Sequence, residues 1–320
     1  MREASRILGD MSEHLGSEQR EVLIIGGGPA GLSAALVLSR ARRSVTVIDS
    51  GEPRNASAGH MQGFLTRDGM PPEELRRIGR TEVRGYGGEI IDGTVERTER
   101  TPDGFAVTLR DGTVLRGKRL VVTTGVVDEL PDVPGLRERW GREVQMCPYC
   151  HGWEVRDQKI VVLATGPMSV HQALLITQWS KDVTLVAAEA PQGADADRLA
   201  VRGVTVVADE PARLVVENDR VTALELASGG TVACDAVFLG PRMVSRTGPL
   251  TDLGCELDED GSVRTDQFGL TSVPGVWAAG NVAKQPGQVI TAAADAVWTA
   301  GLVNMDLIEE EIERGLAARP

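Results

Sequence analysis

The sequence predicts an α/β protein with two Rossmann-like nucleotide-binding domains. Two observations carry that expectation: a continuous apolar run that enters a glycine cluster at residues 26–31, and a second strand–turn–helix–strand unit of the same plan beginning near residue 159. A chain of 320 residues with a 42% apolar share is long enough and apolar enough for two packed cores.

The elements follow in order. Residues 21–25, Glu-Val-Leu-Ile-Ile, are a strand, and residues 30–40 place Leu32, Leu36 and Val37 at helical spacing. Residues 44–48 alternate as a strand that ends at Asp49, completing a βαβ unit and predicting a parallel sheet. Two Thr/Val-rich segments, 105–110 and 113–115, flank Asp111-Gly112 and read as a hairpin. The second unit comprises a strand at 160–163, a turn at 164–167, a helix over 169–179 and a strand at 183–186. Near the end, residues 276–279 form a strand, Gly280-Asn281 a turn, and residues from about 288 to 316 a long amphipathic helix. Its Ile290, Val297, Leu302 and Val303 require cover from a sheet or another helix.

Composition excludes several roles. A formal charge of -12 repels nucleic-acid backbones and anionic membrane surfaces, and no basic cluster overrides it. The longest apolar runs, such as 120–124 and 160–164, fall far short of the roughly 20 residues that a membrane helix needs. Residues 1–20 are polar and charged without an apolar signal core, which reads as a loose N-terminal extension of a cytoplasmic protein.

Gly26-Gly27-Gly28-Pro29-Ala30-Gly31 is a G-x-G-x-x-G directly between strand and helix. Gly26 permits the tight turn, Gly28 lets a pyrophosphate approach the backbone, Pro29 and Ala30 open the helix, and Gly31 lets helix and strand pack closely. The helix N-terminus faces the phosphates, and Asp49 can accept hydrogen bonds from a ribose diol. Cys147-Pro148-Tyr149-Cys150 is a C-x-x-C with three readings. A structural zinc needs a second ligand pair, and Cys234 and Cys255 are not spaced as one, so no metal site is expected. Two unrelated thiols would not call for Pro148, which suits the first turn of a helix whose N-terminus lowers a thiolate pKa. Redox activity is the expected reading. If residues 147–153 are helical, His151 sits one turn beyond Cys147, where it could take a proton from an incoming thiol or return one to a leaving thiolate; the alternative is a histidine that merely packs there. Cys234 and Cys255 read as small buried apolar residues, and His14, His60 and His171 as residues without a chemical role.

Taken together, these residues resemble the low-molecular-weight thioredoxin reductase family of flavoproteins. The matches are Gly26 to Gly31, Val122-Thr123-Thr124-Gly125 ahead of Pro131, Pro134 and Gly135, the C-x-x-C, and Val276-Trp277-Ala278-Ala279-Gly280-Asn281 followed by Gln288-Val289, in the family's order over residues 21–300. The resemblance implies FAD as cofactor, a homodimer, and three-layer ββα/αβα domains, the second inserted in the first. An FAD-binding domain would take residues 21–126 and 253–320, and a C-x-x-C domain of pyridine-nucleotide type residues 127–252. It further implies that Gly125, Gly280 and Asn281 contact the FAD, with Asn281 near the ribityl chain where the family usually has Asp. Gln288 and Val289 would start a helix whose dipole stabilises negative charge on the flavin ring. Arg54 and Asn55 would line the phosphate side, Cys150 would face the flavin, and Cys147 would exchange with substrate.

Two departures redirect the functional expectation. The second nucleotide turn, Ala164-Thr165-Gly166-Pro167-Met168-Ser169, keeps one glycine, and residues 187–197 contain no Arg or Lys, so a 2′-phosphate has little to bind; Glu189 leaves NADH open. His151 stands where thioredoxin reductases usually carry Asp. The run from Cys147 to Glu154 instead resembles the dithiol oxidases that close disulfides in gliotoxin-type and holomycin-type natural products, passing electrons from substrate thiols through the Cys pair and FAD to oxygen. The expectation is a dithiol oxidase whose partners are a small-molecule dithiol and oxygen. The alternatives are a reductase of a thioredoxin-like protein fed by NADPH, NADH or another donor, and a flavin redox sensor without turnover.

Overall fold

A computed structural model describes residues 19–319. His14 and most of the expected N-terminal extension lie outside the described residues, and Arg20 already belongs to a strand. The described residues form two compact units: one takes residues 19–54, 73–127 and 244–319, the other Asn55–Pro72 and Asp128–Met243.

The chain runs β1 (Arg20–Ile25), α1 (Pro29–Arg40), β2 (Val45–Asp49), α2 (Pro72–Gly85), β3 (Glu89–Asp92), β4 (Val95–Thr101), β5 (Gly104–Leu109), β6 (Val114–Val122) and β7 (Val126–Glu129). β3, β2, β1 and the second half of β6 are parallel neighbours, as the βαβ pattern requires. The hairpin expected at Asp111-Gly112 joins β5 to β6 and extends to β4 as an antiparallel meander.

Period-2 alternation divides the buried strand residues between two faces. Val22 and Ile24 of β1 pack with Ala34, Ala35 and Leu38 of α1, while Leu23 and Ile25 pack with Phe105, Val107 and Leu115 of the meander. The first unit is therefore layered helix, sheet, meander.

The second unit carries α3 (Leu136–Arg139), β8 (Val144–Gln145), α4 (Pro148–His151), β9 (Ile160–Leu163), α5 (Ser169–Ile176), β10 (Val183–Ala187), α6 (Ala194–Val201) and β11 (Thr205–Ala208). β12 (Pro211–Glu217), β13 (Arg220–Leu226), β14 (Thr231–Ala233) and β15 (Ala236–Leu239) follow. β11, β10, β9, β15 and β8 form a wholly parallel sheet. Ile160 and Val162 face α5 and α6, and Val161 and Leu163 face the β12–β14 meander, which explains why β9 is apolar at every position. α5 ends at Ile176, three residues before the expected end, as Thr177 turns its hydroxyl back to donate to the Leu174 carbonyl at 2.6 Å.

β16 (Arg242–Ser245) pairs with β7, after which come α7 (Gly248–Thr251), β17 (Val276–Ala278) and α8 (Val289–Ala317). β17 joins the first sheet beside β6. The long final helix is present, but its expected apolar face needs correction. Val297 is exposed, and the buried stripe is Ala296, Thr299, Ala300, Val303 and Leu307. Small side chains on α8 meet Ala34 and Ala35 of α1, so close backbone approach rather than bulk selects the buried face.

Candidate active site

The glycine turn after β1 is shaped by close contact. Gly26 has φ +111°, and a Cβ there would lie 2.5 Å from the Thr123 carbonyl oxygen; a Cβ at Gly31 would lie 1.8 Å from that of Gly26. Only glycine fits either place. The Thr123 hydroxyl, buried at the end of β6, donates within 3.0 Å of both the Ile25 and Gly26 carbonyls and so ties the turn to the sheet. Pro29 and Ala30 begin α1 with Gly28 as its N-cap, and no side chain caps that end. Asp49 closes β2, buried, with Oδ1 accepting from the Gly51 N–H at 3.1 Å. Arg54 and Asn55 sit half-buried in the turn that follows.

At the other edge of the same unit, Thr124 donates its hydroxyl to the Arg246 carbonyl at 2.7 Å, and the Gly125 carbonyl accepts from the Arg246 N–H at 3.0 Å. Gly280 lies against α1: a Cβ there would meet the Ala30 methyl at 2.9 Å. Its N–H donates to Asp295 Oδ2 of α8 at 2.9 Å. Asn281 Nδ2 donates to the Gly287 carbonyl, whereas Asn281 Oδ1 is buried with no partner. Gln288 is the extended N-cap of α8, and Val289 its first residue.

These features fit FAD. A Cβ at Gly28 would meet no protein atom within 4 Å, which leaves room for a pyrophosphate over the backbone and the uncapped start of α1. The orphaned Asn281 Oδ1 is an acceptor suited to a ribityl hydroxyl.

In the second unit Cys147 and Cys150 are disulfide-bonded, with Cα atoms 5.3 Å apart. The motif is a single helical turn rather than a helix over 147–153. Cys147 is the extended N-cap, Pro148 the first residue, and the Cys150 and His151 N–H groups donate to the Cys147 carbonyl at 3.1 and 3.2 Å. His151 accordingly stands one turn beyond Cys147. Burial pushes its imidazole below the ordinary histidine range, and Glu154 offsets this in part. Gln172 of α5 donates to the Met146 carbonyl at 2.7 Å, anchoring the approach to the motif. Tyr149 is exposed, its ring meeting Trp179 edge-on at 5.6 Å.

Cys234 and Cys255 are buried free thiols, as expected; burial pushes Cys234 up to about 12 and Cys255 upward as well, so neither offers a thiolate. His60 and His171 are exposed. Among the described residues there is no cluster of His, Cys, Asp or Glu able to hold a metal, and no helix long and apolar enough to cross a membrane.

The turn after β9 differs from the one after β1. The Thr165 and Gly166 N–H groups both donate to the Ser169 hydroxyl, at 3.0 and 3.2 Å, so two backbone donors of this turn are engaged within the protein. The sequence reading gave Ser169 no such role. Thr123 is visible in the sequence only as part of the Val122–Gly125 run, without its tie to the glycine turn, and Arg76 and Arg80, which reach Asp49 from α2, carry no local signal of that role. Their i, i+4 spacing was visible, but not the acid they meet.

A glycine turn of dinucleotide type on one Rossmann-like unit and a C-x-x-C disulfide on another are the marks of a flavin-dependent disulfide oxidoreductase. The chain belongs to the pyridine nucleotide-disulphide oxidoreductase family, whose pattern it matches over residues 20–296. It is an FAD enzyme of thioredoxin reductase-like type. The thioredoxin reductase tcpT of Claviceps purpurea (strain 20.1) is 33% identical over 82% of this chain and 86% of its own length. The thioredoxin reductase sirT of Leptosphaeria maculans is 31% identical over 90% of this chain and 94% of its own. The crystal structure of HlmI superposes with a TM-score of 0.90 at 49% identity, covering 94% of this chain and 96% of that one.

Proposed function

We propose that this enzyme is a dithiol oxidase that closes an intramolecular disulfide in a small-molecule dithiol, with oxygen as acceptor, and that it works as a homodimer. The observation that carries this reading is the turn after β9. Two of its N–H donors are taken by Ser169, it retains one glycine, and no cation occurs in residues 187–197. With the nicotinamide phosphates so poorly served, electrons enter as thiols.

In the proposed reaction His151, kept neutral by burial, accepts the proton of a substrate thiol. The thiolate attacks Cys147 Sγ and the Cys147–Cys150 bond breaks, with Cys150 leaving as a thiolate. The substrate's second thiolate then attacks the sulfur bonded to Cys147. Product disulfide departs and Cys147 is released, leaving the pair reduced by two electrons. The bound FAD supplies the two-electron route from the reduced Cys pair to oxygen, which leaves as hydrogen peroxide. Gly26, Gly28, Gly31 and Asp49 would hold its adenine dinucleotide part, with Arg54 and Asn55 on the phosphate side. Gly125, Gly280, Asn281, Gln288 and Val289 would hold its flavin part.

The names of the fungal relatives favour a second reading, reduction of a thioredoxin-like protein. Anaerobic mixing separates the two. The oxidised holoenzyme is exposed to NADPH, then NADH, then a simple dithiol while flavin absorbance is followed. Bleaching by dithiol alone, with peroxide formed on admitting air, is expected. Rapid bleaching by either nicotinamide would overturn the oxidase in favour of the reductase.

A further inference from the structure

Asp49 is gripped from a direction that the βαβ pattern does not account for. Beyond the Gly51 N–H on Oδ1, Arg80 Nη1 donates to Oδ2 at 2.9 Å, and Arg76 Nη2 lies 3.4 Å from the same oxygen. The Asp49 side chain is 8% exposed, those of Arg76 and Arg80 17% and 16%. Both arginines project from one face of α2 at i, i+4 spacing. The carboxyl they hold is pressed against the glycine turn, since a Cβ at Gly27 would lie 2.4 Å from its carbon. Arg80 is also paired with Asp92 at the end of β3, whereas Arg76 Nε is buried with no acceptor.

An ion pair alone would need one arginine. A second guanidinium with an unmet buried N–H is costly unless a ligand brings an acceptor to it. We infer that, for the adenosine half of FAD, Arg80 is a positioning residue and Arg76 a direct contact. Arg80 fixes the rotamer of Asp49 so that its carboxylate faces the ribose diol, and Arg76 Nε donates to an acceptor on the adenosine itself. The inference rests on Asp49 being the ribose acid. It adds α2, far from the glycine motif in sequence, to the cofactor site.

The test is equilibrium binding of FAD and, separately, FMN to apoprotein, read by quenching of flavin fluorescence. FMN lacks the adenosine and reports whether the rest of the cradle is intact. Arg80→Leu and Arg76→Leu should each weaken FAD about tenfold or more, the loss of a charge-assisted hydrogen bond, and leave FMN unchanged. In an Asp49→Asn background Arg80→Leu should add less than about twofold, because its target is gone. Equal loss of FAD and FMN, full additivity with Asp49→Asn, or unchanged FAD affinity would each overturn the inference. Asp49→Asn that leaves FAD affinity intact would instead remove the ribose assignment on which it stands.

Discussion

Burial holds the His151 imidazole below its ordinary range, so at neutral pH it carries a free lone pair next to Cys150 in the chain. As a proton acceptor it loses function only when protonated. Dithiol turnover should therefore be flat near neutrality and fall on the acid side, below roughly pH 6.5. His151→Gln should slow turnover by roughly 10² to 10⁴ and abolish that acid limb; a pH–rate profile unchanged in the variant would remove His151 from the reaction. At this level much could be read from the sequence. The glycine turn, the Cys pair and the placing of His151 one turn beyond Cys147 are local patterns that spacing alone fixes, and the burial of Cys234 and Cys255 agrees with their lack of a partner motif. Arg80 and Ser169 could not be assigned in the same way. Arg80 acts on a carboxylate 31 residues away, and Ser169 acts by occupying donors that the motif leaves unspecified.

Short elements of the second unit depend on polar anchors more than on length. The single-turn α3 ends in Arg139, whose side chain is 5% exposed and forks onto Glu143 at 2.8 and 2.6 Å while also donating to Asp219 Oδ1 at 2.6 Å. Asp219 lies in the β12–β13 turn, and Arg142 and then Arg139 pull its carboxyl down to about 2. Arg139→Ala should lower the unfolding free energy by about 3 kcal/mol, the low end for breaking a buried pair, since its acidic partners can regain water. Urea denaturation followed by circular dichroism checks this, and a loss under about 1 kcal/mol would mean the network is a surface feature. The same logic sets the acid behaviour. The Asp219 contribution is present above its unfolded pKa of about 3.8 and is lost as the pH falls from there towards about 2. Element types were legible because strands buried on both faces are apolar throughout. The buried face of α8 was not, because Ala296 and Ala300 are weak hydrophobes that matter only once α1 lies against them.

Each of the two units has clusters of buried apolar residues on both faces of its parallel sheet. FAD binds the native cradle and not the unfolded chain, so at about 100 times its Kd it should add about 2.7 kcal/mol to the stability of the unit that holds it. Hydrogen exchange on apo and loaded protein should show protection rising in β1, β2 and β6 and unchanged in β9, β10 and β15. A uniform rise would show that the two units open together. The amino-acid order alone determined two βαβ units, a glycine turn of dinucleotide type and a C-x-x-C pair, because each is encoded by short local patterns. The engagement of the second turn by its own serine, the choice of the small-residue face of α8 and the arginine grip on Asp49 were decided by the folded chain. All three depend on which side chains meet across space, and hydrogen-bond geometry and close packing have no signature in local spacing.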